Sequence, residues 1–174
     1  MRNWLYLLIL GAFFSGLLVR AGEMVEGFWK IIDDETGRQR SIIALYQYQD
    51  KLYGRLVITF DENEKVKNTI YAPQERAVAL PEQPYFAGLD IVWELVKDGA
   101  KERWHKGKIL DPKKGKVYSS VIHWDEAKQH LVVRGKIGPF GRNQYWLRVQ
   151  DNEFPEGFEI PDTTTWVPEI PRLR

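Results

Sequence analysis

The feature that most constrains this chain is a two-residue hydrophobic alternation that recurs in short segments, each broken after about ten residues by a turn signal. Alternation at that period places neighbouring side chains on opposite faces of a strand, and it leaves few runs with helical spacing. Eight segments carry it: Phe28 to Ile32, Ser41 to Gln49, Leu52 to Phe60, Leu89 to Val96, Arg103 to Leu110, Lys116 to Trp124, Leu131 to Ile137 and Gln144 to Val149. The joins suit tight reversals, among them Asp50-Lys51, Asp98-Gly99, Asp111-Pro112-Lys113-Lys114-Gly115 and Gly138-Pro139-Phe140-Gly141. The chain is therefore expected to be all-β. Eight strands joined by hairpins close most simply into an antiparallel up-and-down barrel, which has no exposed edge and can hold one small ligand. A two-sheet sandwich is the rival reading of the same spacing.

Three segments stand outside the meander. Arg2 followed by the uncharged apolar stretch Trp4 to Val19 and by Val19-Arg20-Ala21 reads as a secretory signal peptide cleaved after Ala21. A permanent anchor is the alternative, but the 16-residue stretch is shorter than the ~20 residues of a spanning helix. The expected organisation is thus a leader over 1–21, a barrel domain over 22–150 and a tail over 151–174. Within the barrel domain, Asp61 to Gly88 is a 28-residue connection rich in charge and proline, a length that suggests a lid. Pro73 and the residues after it suit the first turn of a short helix, with a mobile excursion as the alternative. The tail carries Pro155, Pro161, Pro168 and Pro171 among Phe154, Phe158, Ile160 and Trp166. Its prolines forbid a regular helix or central strand, and its apolar groups favour an extended path along the barrel wall or across one end.

Composition narrows the function classes. The 25 basic and 24 acidic side chains give no net field for nucleic acid or for a polybasic membrane anchor. Loss of Arg2 and Arg20 with the leader would leave 23 basic against 24 acidic, so an exported chain is slightly acidic. The absence of cysteine excludes disulfides, thiolate metal sites and a thiol nucleophile. The three histidines, His105, His123 and His130, lie on separate segments without local metal spacing. No serine elbow, phosphate loop or acid and base pair can be assembled, so neither an enzyme, a cofactor nor a metal is expected. The basic stretch from Lys97 to Lys116 is interrupted by acids and spread over both strand faces, as a solvated rim would be.

Gly27-Phe28-Trp29 opens the first strand and Trp146-Leu147-Arg148 closes the last, and these strands are neighbours in a closed barrel. Trp29 is expected at one barrel end with the Arg148 guanidinium against its face, a structural plug. The pattern resembles the lipocalin and wider calycin signature, Gly-x-Trp early and an arginine late. A longer resemblance runs from Gly27 to Arg148. Its strings are Trp104-His-Lys-Gly-Lys-Ile-Leu-Asp-Pro-Lys-Lys-Gly-Lys-Val-Tyr118 and Leu131-Val-Val-Arg-Gly-Lys-Ile-Gly-Pro-Phe-Gly-Arg-Asn-Gln-Tyr-Trp-Leu-Arg148. They are similar to a bacterial family of exported proteins of unknown function. The resemblance implies a lipocalin-like barrel in the periplasm or outside the cell, with no assigned reaction. The chain departs from that family in its tail and in the segment before Gly88, the places where a ligand or partner would be gated.

Two strands are apolar on both faces, as a ligand-enclosing barrel requires. Tyr46, Tyr48, Tyr53, Tyr118 and Trp124 are the cavity candidates, each a large apolar body with a polar tip. Arg134 would hold an anionic head group if it points inward, which requires the face of Leu131, Val133, Gly135 and Ile137 to pack outward. The preferred expectation is a small hydrophobic or amphipathic ligand inside the barrel. The second is a packed barrel that docks an envelope protein through its tail and lid. Neither includes nucleic acid or a membrane span after cleavage.

Overall fold

The computed structural model describes residues 25–99 and 103–173. The leader expected over 1–21 lies outside the described residues, among which no helix is long and apolar enough to cross a membrane. The strands are β1 (Gly27–Ile32), β2 (Gln39–Tyr48), β3 (Lys51–Phe60), β4 (Val66–Thr69), β5 (Asp90–Lys97), β6 (Arg103–Asp111), β7 (Lys116–Asp125), β8 (His130–Ile137) and β9 (Phe140–Arg148). All pairs are antiparallel, and each strand of the barrel bonds to its neighbour in sequence. Pairing of Trp29 with Arg148 and Ile31 with Trp146 joins β1 to β9 and closes an eight-stranded barrel. Closure satisfies the ladder groups that an open edge would leave bare.

β4 is the strand that alternation misses. β3 pairs with β5 from Lys51 to Arg55 and with β4 from Ile58 to Phe60, so β4 hangs from the mouth end of β3 as a flap. Val66-Lys67-Asn68-Thr69 has a single apolar residue and therefore no readable period. The stretch after Pro73 forms no helix. Asn68, buried at 1% exposure, accepts the backbone N–H groups of Gln74 (2.7 Å) and Glu75 (2.6 Å), which turns the chain there. Ala77 then donates to the Pro84 carbonyl at 2.8 Å and Phe86 to that of Glu75 at 3.0 Å, giving a folded-back excursion. A helix of so few residues cannot offset its nucleation cost against those bonds.

Burial explains the unbroken apolar run in β2, where Ser41 through Tyr46 are all buried. Ile43 and Leu45 point into the barrel, with Leu52, Leu95, Trp104, Ile122 and Leu131. Ile42 and Ala44 point outward, into a second cluster with Val57, Ile58 and Val149 that Phe154, Phe158 and Trp166 of the tail pack against. Phe154 meets Phe28 edge-on at 5.3 Å, and Trp166 meets Tyr46 edge-on at 5.3 Å. The tail is thus an extended strap on the outer wall of β1 to β3.

Candidate functional site

The two barrel ends are built differently. At one end Trp29 is fully buried, its indole N–H donates to the Val25 carbonyl at 2.9 Å, and Trp124 packs 6.0 Å from it. The Arg148 guanidinium lies 4.3 Å over the Trp29 ring and donates to the Glu26 carbonyl at 3.1 Å. Burial pulls the Arg148 pKa below its ordinary value. Gly27 has φ of 113°, and a Cβ there would sit 2.9 Å from an Arg148 Nη atom, so a side chain at this position would collide with the guanidinium.

At the other end lies a cavity of about 970 Å³. Its walls come from the mouth halves of the strands, with Ile31, Leu56, Ile91, Ile109, Val133 and Trp146 supplying apolar surface, and Phe86 of the lid segment closing one side. Gly135 belongs to the wall, and a Cβ there would make ordinary contact with Ile109 and Tyr118 at 3.6 Å, so its missing side chain is part of the hollow. Tyr118, Ser41, Thr59 and Gln144 add uncharged polar groups to the lining. The Gln144 side chain already accepts the Trp146 indole N–H at 3.2 Å.

The rim is charged and mostly paired. Arg40 bridges Asp33 at 3.0 Å, Arg142 bridges Asp34 at 3.0 Å and Lys67 bridges Glu75 at 3.0 Å. The Asp33 carboxylate is pulled down to about 2 by the Thr36 hydroxyl and backbone N–H, with Arg40 adding to the effect. An apolar chamber under a rim of both signs can bury an aliphatic or aromatic body while a polar end stays at the mouth.

Of the residues singled out in the sequence, Tyr118 lines this cavity. Trp124 is on the same inward face of β7 but at the plugged end, where its indole donates to Glu126 at 2.5 Å. Tyr46, Tyr48 and Tyr53 stand away from the cavity, on the outer wall: Tyr46 stacks on Tyr53 at 5.9 Å, and Tyr48 meets Tyr53 edge-on at 6.2 Å. The outer placement follows from Ile43 and Leu45 taking the inward positions of β2. Arg134 also points outward, donating to Asn143 on the neighbouring strand at 3.0 Å. Val133, Gly135 and Ile137 face the cavity, so the condition for an inward Arg134 is not met.

A second polar constellation went unread in the sequence. Asp90, fully buried, accepts from the Tyr46 hydroxyl at 2.9 Å, pairs with Arg55 at 2.7 Å and accepts the Glu169 backbone N–H at 2.6 Å. Arg55 also donates to the Val167 carbonyl at 2.8 Å and lies 4.7 Å over the Trp166 ring. Burial alone would lower the Arg55 pKa, but the Asp90 carboxylate overrides it, and the guanidinium ends above its ordinary value. Burial and then Asp90 push the Tyr46 hydroxyl far up. This clasp fastens the tail to the wall. Its sequence signal is an acid at the head of the apolar run Asp90-Ile91-Val92-Trp93.

A solved structure from the human pathogen Helicobacter pylori, of a protein described as belonging to the lipocalin family, superposes with a TM-score of 0.57 at 18% identity. The match covers 74% of this chain and 84% of that one, and it shows a shared fold. No curated protein matches the sequence. Residues 27–148, from the glycine beside the plug to the arginine that completes it, match the family described as uncharacterised proteins conserved in bacteria (DUF2147), and the chain belongs to that family.

Proposed function

We propose that this protein is an exported carrier or sensor that binds a small apolar or amphipathic molecule in the mouth-end cavity of its barrel. The cavity carries the reading: about 970 Å³ of mostly apolar space, at the upper end of the ~300 to 1,000 Å³ typical of small-molecule sites. Tyr118 would orient a polar group within it, and Arg40 and Arg142 at the rim would meet an anionic end, the role the sequence suggested for Arg134. Gly27, Trp29 and Arg148 hold the opposite end shut and take no part in binding. Export rests on the apolar leader read over residues 1–21, which also fits a bacterial family resembling lipocalins.

Native mass spectrometry of the protein purified from its own host should show a bound mass that denaturation releases, and a panel of fatty acids and phospholipids should give saturable binding. Gly135→Leu, which grows a side chain into the hollow between Ile109 and Tyr118, should weaken that binding at least tenfold while the thermal midpoint stays within a few degrees. No bound mass and no binding across the panel would sink the reading, as would a Gly135→Leu barrel that binds as well as the parent.

A further inference from the structure

The β8–β9 hairpin turns through Gly138-Pro139, with Gly138 at φ of 55°, and this two-residue turn holds Phe140 out from the mouth. Phe140 is 79% exposed and Ile137 52%, yet both also line the cavity. The apolar lining therefore runs without a break from the interior to a protruding tip. Beside it is the β6–β7 tip, with Lys113 and Lys114 at the same mouth. β7 and β8 are paired neighbours, which puts the two tips on the order of 10 Å apart.

Charge at the mouth is biased from side to side. The β6–β7 and β8–β9 tips carry Lys113, Lys114, Lys116, Lys136 and Arg142 against Asp111, whereas the β1–β2 and β3–β4 turns carry Asp33, Asp34, Glu35, Asp61, Glu62 and Glu64 against Arg38 and Lys65, and the Arg142–Asp34 pair marks where the two sides meet. Among the described residues, Lys113, Lys116 and Lys136 are exposed and make no ion pair. A chain with no useful net charge thus presents a basic crescent around an exposed phenylalanine. A convex apolar tip ringed by lysines suits the headgroup layer of an anionic bilayer better than it suits a groove, because the ring enters the interface while the ammonium groups meet lipid phosphates.

We propose that the β6–β7 and β8–β9 tips dock this protein on anionic phospholipid membranes, tilted so that the acidic side of the mouth stays away from the surface. Docking rests on the surface alone. The corollary, that an apolar ligand passes between bilayer and cavity along Ile137 and Phe140, rests on the binding reading above.

The absence of cysteine makes a site-resolved test direct. Pro139→Cys at the mouth and Ala127→Cys in the β7–β8 turn at the plugged end are each labelled, in the full chain, with a polarity-sensitive fluorophore. The samples are mixed with vesicles of phosphatidylglycerol and phosphatidylcholine in equal parts. The label at 139 should shift to the blue and be quenched by a lipid-soluble quencher, while the label at 127 stays aqueous. The contrast between the two labels is the deciding measurement, because Trp4 to Val19 is itself apolar and would bind without regard to either. Phe140→Ser should reduce the shifted fraction about tenfold, and Lys113→Ala with Lys136→Ala by about as much or more. High salt should act like the lysine changes, and pure phosphatidylcholine should give little shift.

A label at 139 that stays aqueous while vesicles bind overturns the proposal. So does undiminished docking of Phe140→Ser, or loss in that variant of a concentration-dependent dimer in place of vesicle binding. Because Gly135→Leu fills the cavity and leaves the tips intact, it should dock like the parent. A barrel that docks but binds no lipid refutes the cavity reading alone, and one that binds soluble lipid but does not dock refutes this proposal alone.

Discussion

The plugged end and the mouth use similar residues to opposite ends. At the plug, Trp29 and Trp104 are buried and the Arg148 guanidinium lies 4.3 Å over the Trp29 ring. At the mouth, Trp146 and Ile109 line a hollow, and apolar side chains such as Phe140 and Ile137 stand exposed at its edge. Packed apolar volume stabilises a fold, whereas unpacked apolar volume forfeits contacts that a guest can supply. Stability is therefore concentrated at one end and open volume at the other, with a third region, the strapped outer wall, adding a core that a barrel alone lacks.

The largest effect should come from the plug. Trp29→Ala removes a fully buried indole, and large-to-small changes of this type cost about 3 to 5 kcal/mol. Ile137→Ala at the mouth, half exposed already, should cost under ~1 kcal/mol. Urea midpoints measured side by side check the contrast, and equal losses would show that the two ends are not distinct in stability. Next comes the strap. Asp90→Ala leaves Arg55 without its carboxylate in a largely buried place, a change that costs about 3 kcal/mol. Hydrogen exchange at Glu169, whose N–H bonds Asp90, should rise before the barrel strands open. Retained protection there would mean that the rings of the tail, rather than the clasp, hold it down.

The difference between the ends also sets what the sequence could reveal. Barrel closure and the eight strands were legible because most strands repeat a period that burial enforces and turn signals bound them all. Gly27, Trp29 and Arg148 drew attention because one contact needs all three residue types. The tyrosines of β2 and β3 were harder to place. A strand buried on both faces shows no alternation from which to choose the inner face, and Ser41 to Tyr46 became two-sided only because a tail more than a hundred residues away covers it. Arg134 rested on a stated parity condition, and Val133 and Gly135 facing inward answered it. β4 and the fold of the lid depended on the Asn68 side chain and on the free length of β3, neither of which leaves a periodic trace. The charge crescent was hidden for another reason: Lys113 and Lys136 are far apart in sequence and meet only through the β7–β8 pairing.

A smaller prediction tests the plug's chemistry rather than its volume. Arg148→Met keeps a long flexible side chain over Trp29 but removes the cation and its bond to Glu26. The loss should be about 2 to 3 kcal/mol, from a partly desolvated cation–π contact of about 0.5 to 1 and a charged-donor hydrogen bond of about 1.5 to 2. Denaturant unfolding monitored by Trp fluorescence measures it. A loss as large as that of Trp29→Ala would mean that the guanidinium organises the whole end, and no loss would mean that the indole seals it alone.

The smallest effect belongs to the mouth rim, and its direction follows from a lowered acid. Asp33 is held at about 2, against an ordinary 3.8, chiefly by the Thr36 hydroxyl and backbone N–H, with Arg40 behind them. Because the folded-state value lies below the unfolded one, folding favours the carboxylate. The contribution is complete above about pH 4, and it disappears as pH falls through 2. Carbon-detected NMR of the Asp33 carboxyl should give a midpoint near 2, and Thr36→Val should raise it by removing the hydroxyl donor while leaving the backbone bond. Since the turn is solvent-exposed and the pair with Arg40 is screened, the accompanying change in stability should be slight. A midpoint unchanged by Thr36→Val would show that the backbone N–H and Arg40 hold the carboxylate by themselves. A large loss of stability between pH 4 and 2 that follows Asp33 would contradict the division of labour itself, because the rim would then be holding the fold as the plug does.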